Sequence, residues 1–574
     1  MKLNRAPRDR LVMVPLGGCG EIGMNLTLYG TGGKWLMVDC GMTFADESVP
    51  AVDLIVPDPT YIADQKKDLL GIVVTHAHED HLGAIHHLWL DLKCPVYATP
   101  FAAEVLKSKL EEAELEGEVP LHIIDTFDGL QLGDFNLEMV SLTHSTAEMQ
   151  ALAIRTPYGT IMHTGDWKFD PEPLVGPVSD TDRLGAIGEE GVLALVCDST
   201  NVFNRGSSGS ESEVRKSLTE LVKARAGRGV TITTFASNIA RMATAFAVAE
   251  ATGRHVVMVG RSLWKFYKAA RAAGYLADLQ EPLSDREGDA LPRDKVLFLC
   301  TGCQGEPRGA MGRIAADDHP LIAFGEQDTV IFSSKVIPGN EKGIGRVYDQ
   351  LTVSGVEVIT ERDEFVHVSG HPGRDELKRM YELIKPDMLV PVHGEARHLI
   401  EQSRLGKSCG IIRNPVITNG EMLNLAPGEP EILGEVPVGR LAVDASGLVP
   451  VGGELVRSRK RALFNGTALA VLVVDTRGQL LEDLRLHLMG LAEGEELDLL
   501  LDDIEDAIEA GMDRLVRRRK ADDDAIEEMV TRTIRKVCRQ LLKRRPIVKC
   551  EIVRLEPGDK FANNGGTNKK RELA

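Results

Sequence analysis

The sequence predicts an α/β protein in which a sheet-rich domain is interrupted by a helix–strand domain and followed by a small third one. Three observations carry this expectation. Short apolar runs between about residues 10 and 200 stop at polar loops, a regular alternation of helix and strand patterns runs from about 211 to 365, and strands ending in histidine return after it. A chain of 574 residues is also too long for one ordinary core, so two to four domains are expected.

The first runs are LVMVPL, KWLMVDCG, GIVVTHAHEDH, LEMVSLTH, GTIMHTGDW and VLALVCDST. Each ends at His, Asp, Ser or Thr, as expected of a sheet whose strand ends carry polar chemistry. The middle block reads ESEVRKSLTELVKARAG, VTITTF, IARMATAFAVAEATG, HVVMVG, SLWKFYKAARAAG, VLFLCTG and TVIFSS, the rhythm of a parallel α/β domain. EFVHVSGHPGRDELKRMYELI and DMLVPVHGEARHL then return to strands ending in histidine, so the block reads as an insertion. The expected boundaries are 1–210 and 366–430 for the two parts of the first domain, 211–365 for the insertion, 431–455 for a Gly/Pro-rich linker, 456–556 for the C-terminal domain and 557–574 for a disordered tail.

Within the C-terminal domain, residues 493–513 hold ten acidic and no basic residues and precede a basic run, Arg514 to Lys520, expected as a solvated helix end. A second helix carries Ile526, Met529, Val530, Ile534, Val537 and Leu541 on one face, expected to serve assembly. The strands ALAVLVVDT and IVKCEIVRL complete an α+β unit.

Composition, 43% hydrophobic and 27% charged, is that of a globular protein. No apolar run reaches the roughly 18–20 residues needed to cross a bilayer, so no membrane association and a cytoplasmic location are expected. Nine scattered cysteines argue against a disulfide framework, and the lone C-x-x-C of Cys300 and Cys303 reads as structural. The net charge of −19 argues against a general nucleic-acid binder, so any RNA must meet locally positive ground, which bound dications can supply.

T-H-A-H-E-D-H at 75–81 places His76, His78, Asp80 and His81 directly after a buried strand. Imidazoles suit zinc and similar dications, and a carboxylate among them adds an anionic ligand. His144 in SLTHS, Asp166 in HTGDW and His393 in VPVHGE also end strands, giving seven ligands, the number two metals sharing one Asp require. HVSGH (367–371) lies before a helix beginning near Arg374, where exposed N–H groups would form an anion site. His367, Val368, Ser369, Gly370 and His371 are therefore expected to contact phosphate, with His371 also a general acid. Asp198 is expected to orient His371 or a metal ligand. G-C-G-E-I-G at 18–23 mimics a dinucleotide fingerprint, but a strand-turn-strand pattern follows it where a helix would be required.

H-x-H-x-D-H followed by separate His, Asp and His resembles the metallo-β-lactamase superfamily. The inserted block, with Asp198 in CDSTN and His371 in HVSGHP, resembles its β-CASP nucleases. TFASNIARM, TGCQGEPRGAMGRIA, IFSSKVIPGNE, HVSGHP and PVHGEARHL resemble the bacterial ribonuclease J family, from about residue 10 to 555. Cys303 and Gly312 depart from that pattern, as does Ala396; none is in the ligand set. The resemblance implies an αββα sandwich with an inserted β-CASP domain and a small C-terminal domain. His76, His78 and His144 would hold one metal, and Asp80, His81 and His393 the second. Asp166 would bridge them, with the ions ~3.5–4 Å apart. Two divalent ions, zinc or manganese, are implied. Asp80, Asp198 and His371 would be the catalytic residues, and Phe235, Ala236, Ser237 and Asn238 would join the 367–371 loop in binding substrate.

The implied activity is 5′-to-3′ exonuclease with endonuclease action in RNA processing and decay. A hydroxide shared by the two metals would leave a 5′-phosphate and a 3′-hydroxyl. The partners implied are RNA, preferably 5′-monophosphorylated, and a second copy of the chain in a homodimer, with a tetramer as the alternative. Two other readings stay open: a hydrolase of small thioesters or lactones, which the inserted domain argues against, and a non-catalytic RNA-binding scaffold, whose usual mark is lost ligands.

Overall fold

Leu11–Gly17, Leu26–Thr31 and Lys34–Val38 are almost entirely apolar and form strands buried on both faces. Alternation sends Leu11, Met13, Leu36 and Val38 to one side and Val12, Val14, Trp35 and Met37 to the other. The computed structural model describes residues 5–46, 48–124, 129–306 and 308–555. These strands lie in an eight-stranded sheet that also contains Leu69–Val73, Val96–Ala98, Leu121–Ile123, Glu421–Ala426 and Glu431–Glu435.

A six-stranded sheet faces it, made of Leu130–Leu132, Phe135–Ser141, Gln150–Thr156, Gly159–His163, Ala194–Asp198 and Met388–Val392. Leu137, Leu152, Ile154, Ile161, Val196 and Val390 meet the first sheet's inner residues in one core. Helices Ile85–Leu92 and Pro100–Glu112 cover the outer face of the first sheet, and Thr181–Glu190, Arg374–Ile384 and Ala396–Ser408 that of the second. The αββα sandwich is complete. Ala194–Asp198 pairs in parallel with Met388–Val392, and the intervening chain builds a separate parallel sheet ordered His255–Val259, Val296–Cys300, Gly229–Thr233, Asp328–Phe332, Glu357–Ile359.

Contacts divide the chain into two compact units: residues up to Leu448 apart from a short loop, and residues from Val449 together with that loop, Glu47–Val52. The stretch expected as a linker is largely structured. Glu431–Glu435 pairs with Glu421–Ala426, and Arg440–Asp444 pairs with Leu54–Pro57. Gly447, with positive φ, marks a turn at the start of a short strand, and turn residues read the same in a linker.

In the second unit, Thr467–Asp475 lies between Arg485–Met489 and Ile547–Leu555, with helices Gly494–Arg514 and Asp523–Leu542 on one face. The apolar stripe expected to serve assembly is consumed internally, since Ile526, Val530, Ile534 and Val537 are buried in this unit's own core. Of the basic run only Arg514 ends the acidic helix; Arg517–Lys520 forms a separate short helix in which Arg517, Arg518 and Arg519 are exposed. The expected tail, 557–574, lies outside the described residues. All nine cysteines are unpaired, and among the described residues no helix is long and apolar enough to cross a membrane.

Candidate metal centre

The loop after Leu69–Val73 carries His76 and His78 into the short helix Glu79–Leu82. Asp80 and His81 lie on that helix, so four polar side chains turn back over the strand end. Gly41 makes this approach possible: a Cβ there would stand 1.7 Å from the Asp80 carbonyl oxygen. His144 follows Phe135–Ser141, Asp166 follows Gly159–His163, and His393 follows Met388–Val392 at φ +53°.

The structure brings all seven residues together. His76, His78, His144 and Asp166 form one group and Asp80, His81, Asp166 and His393 another, each with donor atoms within 4.8 Å of one another. Asp166 Oδ2 belongs to both: it lies 3.1 Å from His81 Nε2, 3.5 Å from His393 Nε2, 3.9 Å from His144 Nε2 and 4.0 Å from His76 Nε2.

A surrounding layer fixes which nitrogens face inward. Asp39 accepts from the Thr75 hydroxyl at 2.9 Å, so Thr75 Oγ1 accepts from His76 Nδ1 at 3.0 Å and the His76 Nε2 lone pair faces the cluster. His144 Nδ1 donates to the Gly370 carbonyl at 2.6 Å, turning its Nε2 inward. His81 Nδ1 bonds Asp39 Oδ2 at 2.7 Å, and His393 Nδ1 bonds Thr200 Oγ1 at 2.7 Å.

The residues fit a bound cation. His76 Nε2 and His144 Nε2 lie 3.1 and 3.0 Å from His78 Nδ1, which can donate to only one of them, so a lone pair is left facing another nitrogen. Asp166 Oδ1 is buried without a hydrogen-bond partner. Such a deficit inside a protein calls for a positive ligand. Burial keeps this half of the cluster neutral, holding His76 and His144 far below the ordinary imidazole range and His78 at about 4. Burial acts the same way on His81 and His393, but Asp166 and Asp80 outweigh it, raising His81 well above its ordinary value and His393 to about 9. A cation entering this second half must therefore displace protons.

His371 Nδ1 bonds Asp198 Oδ2 at 2.8 Å, and Asp198 is fully buried with Oδ1 accepting from Thr200 N at 2.8 Å. Burial lowers the His371 pKa, but Asp198 and Asp166 reverse this and raise it. Ser369 Oγ accepts from Asn201 Nδ2 at 2.7 Å and from His371 N at 3.1 Å, leaving its own hydrogen to donate. A Cβ on Gly370 would stand 2.7 Å from His144 Cε1, so only glycine lets the loop pass so close.

The expected helix-start anion site is corrected. Gly373, Arg374 and Asp375 already donate to Glu376 Oε2, Asn204 O and Gly206 O, so these three N–H groups are not available to an anion. Val368 packs in the core, and half-buried His367 sits beside Arg241, so of the five loop residues Ser369, Gly370 and His371 border the cluster. Phe235, Ala236 and Ser237 are half-buried after Gly229–Thr233, and Asn238 caps helix Ile239–Ala251 through Arg241 N at 2.8 Å. Among the described residues these four share no hydrogen bond or ring contact with the cluster. The sequence reading overlooked Thr75, Thr200 and Asn201 and took Asp39 only as part of a false fingerprint; their place just beyond buried strands was the available signal.

Family models match the chain in sequence order: the metallo-beta-lactamase superfamily over 20–228, the ribonuclease J beta-CASP domain over 227–351, the Zn-dependent metallo-hydrolase RNA specificity domain over 355–413 and the ribonuclease J C-terminal domain over 454–555. Ribonuclease J of Sinorhizobium meliloti is 42% identical over 555 residues, covering 96% of this chain and 98% of that protein. The chain belongs to the ribonuclease J family. Two further ribonuclease J proteins are similar: that of Thermus thermophilus at 37% identity, covering 87% of this chain and 92% of that one, and that of Helicobacter pylori strain B128 at 32%, covering 96% and 80%. A solved structure of a protein of unknown function from Enterococcus faecalis, with a TM-score of 0.50, 16% identity and coverage of 72% of this chain and 100% of that one, shares the fold. As a ribonuclease J family member the chain is a metal-dependent ribonuclease.

Proposed function

We propose that the seven-residue cluster binds two divalent ions, zinc or in its place manganese, and is where the chain hydrolyses RNA phosphodiesters. The observation that carries this reading is Asp166: one oxygen is shared by both ligand groups and the other lacks a partner. His76, His78 and His144 would hold one ion, Asp80, His81 and His393 the other, and Asp166 both. When bound, such ions supply Lewis acidity at the phosphate and a nucleophile derived from water.

The chain's own groups do the rest. Ser369 Oγ donates its hydrogen to a phosphate oxygen while Asn201 holds the hydroxyl in place. Asp198 fixes His371 through Nδ1, so that the proton for the leaving 3′ oxygen is held at Nε2, and the raised pKa favours the protonated form. The products are a 5′-phosphate and a 3′-hydroxyl. Phe235 to Asn238, at the end of a strand in the inserted domain, would meet the nucleotides beyond.

This reading makes the protein a cytoplasmic enzyme of RNA processing and decay with both 5′-to-3′ exonuclease and endonuclease action and a preference for 5′-monophosphorylated ends. RNA labelled at its 5′ end tests it. Mononucleotides mark the first mode and internal fragments the second. Loss of both in His371→Ala with two metals retained supports the acid role. Turnover of a thioester with none of RNA overturns the whole reading. A homodimer, or a tetramer, remains proposed from family membership, and light scattering of the full chain measures it.

A further inference from the structure

Four charged side chains in the first unit are buried away from the metal cluster: Lys168, Asp170, Glu211 and Arg241, each with at most 3% of its side chain exposed. Arg241 sits in helix Ile239–Ala251 of the inserted domain, and its whole guanidinium is engaged. Nε and Nη2 donate to the Glu211 carboxylate at 3.1 Å, and Nη1 donates to Ser333 O at 2.7 Å, to Val366 O at 3.1 Å and to Ser333 Oγ. Ser333 Oγ in turn donates to Val366 O at 2.7 Å. Val366 is the residue immediately before the 367–371 loop.

From Glu211 the connections continue to the metal cluster. Glu211 N donates to Asp170 Oδ2 at 2.9 Å, and Asp170 pairs with Lys168 at 3.0 Å. Thr143 joins both: it donates through Oγ1 to Lys168 O at 2.7 Å, and its oxygens accept from Lys168 N at 2.8 Å and Asp170 N at 2.9 Å. The next residue is His144, whose Nδ1 donates to Gly370 O. The ladder thus leaves the cluster beside His144, crosses into the inserted domain and returns to His144 through the loop that carries Ser369 and His371.

We infer that this ladder sets the position of the Ser369–His371 loop relative to the metal cluster, with Arg241 as its positioning residue. The inference rests on the reading of that loop as the phosphate contact. A well-packed apolar set of similar volume is often as stabilising as a buried ion pair, so stability alone does not explain four buried charges here. Fixed geometry does, since a displacement of about 1 Å between substrate grip and reacting groups can cost on the order of 100-fold in rate. The planar fork of arginine holds Glu211 and two carbonyls at once, which the single ammonium of lysine cannot do.

The test is steady-state cleavage of 5′-labelled RNA by the metal-loaded full chain carrying Arg241→Lys, with metal content and thermal unfolding measured alongside. The expected result is two metals retained, cooperative unfolding, a fall in kcat of roughly 30-fold or more and a KM within about threefold of the parent, the signature of lost geometry in the transition state. Ser333→Ala, a milder change at the same junction, should lower kcat roughly fivefold in the same direction. If Arg241→Lys does not fold, Ser333→Ala decides. An unchanged kcat in a folded, metal-loaded variant overturns the positioning role, even if its unfolding temperature falls. His371→Ala separates the two ideas: if it cleaves at the parent rate, the phosphate-loop reading fails; if it is inactive while Arg241→Lys is unaffected, only the ladder inference fails.

Discussion

Two buried polar clusters in the first unit are built in opposite ways. In the ladder, the Arg241 guanidinium, the Glu211 carboxylate and the Lys168–Asp170 pair meet opposite charges or backbone groups at hydrogen-bond distance. In the metal cluster, imidazole nitrogens face one another at about the same separation, 3.0 to 3.1 Å, and Asp166 Oδ1 has no partner. A buried group left without a partner costs about 1–3 kcal/mol, so the second arrangement persists only where the surrounding fold imposes it or a ligand completes it. The difference teaches how to tell scaffold from site: satisfied charges hold elements together, and unsatisfied ones gathered at strand ends await something from solvent.

The sharpest way to break this comparison is at its shared atom. Asp166→Asn should lower RNA hydrolysis by at least ~1,000-fold, about 4 kcal/mol of transition-state stabilisation, while the protein still unfolds cooperatively. Metal analysis should show fewer than two ions bound. Retained activity with both ions absent would end the two-metal reading. The ladder should answer differently to truncation. Arg241→Ala strands the buried Glu211 carboxylate and should cost about 3–5 kcal/mol of folding stability, read from denaturant unfolding of the metal-free protein. His76→Ala in that same metal-free state should cost far less, because it removes one of the nitrogens that face each other. Equal losses in the two variants would erase the distinction.

The two clusters were also unequally visible in the sequence. His76, His78, Asp80 and His81 lie within six positions, and His144, Asp166 and His393 each end an apolar run, so chemistry and spacing coincide. Glu211 opens an amphipathic helical pattern and Arg241 stands in a largely apolar one, where a lone charge normally faces water, and only the tertiary fold buries them together. The same limit explains the helix start at Arg374, whose first N–H groups looked available because no local pattern shows that Asn204 and Gly206 supply the carbonyls that take them. Strands such as Leu11–Gly17 were legible because burial on both faces leaves a continuous apolar run. Glu431–Glu435 was not, being a short, largely exposed strand among turn residues at the margin of its sheet.

A smaller effect is expected in the layer that orients the ligands. Thr200→Val removes the hydroxyl that holds His393 Nδ1 and should weaken metal binding about 10–100-fold, as loss of such outer partners generally does. Competition with a chelator of known affinity measures it. An unchanged affinity would mean that the backbone at His393, held by the bond from its N–H to Gly18 O, is enough to aim the ring.

The smallest effect concerns substrate ends, and it joins the two regions, since the ladder holds one side of the loop and the cluster the other. With the N–H groups of Gly373, Arg374 and Asp375 already taken, the loop offers the Ser369 hydroxyl and His371 as donors where Gly370 brings it close against His144. Two such donors suit a terminal monophosphate better than a bulkier, more highly charged triphosphate. Digestion of 5′-monophosphorylated RNA should therefore be roughly tenfold faster than of the triphosphorylated form, ~1.4 kcal/mol of transition-state binding. Ser369→Leu would crowd the space without removing a metal ligand, and it would also break the bonds from Asn201 Nδ2 and His371 N. It should bring the two rates within about twofold of each other while two metals stay bound. Equal rates on both ends in the parent enzyme would detach the loop from end recognition and leave internal cleavage as its main activity, with the metal cluster unaffected.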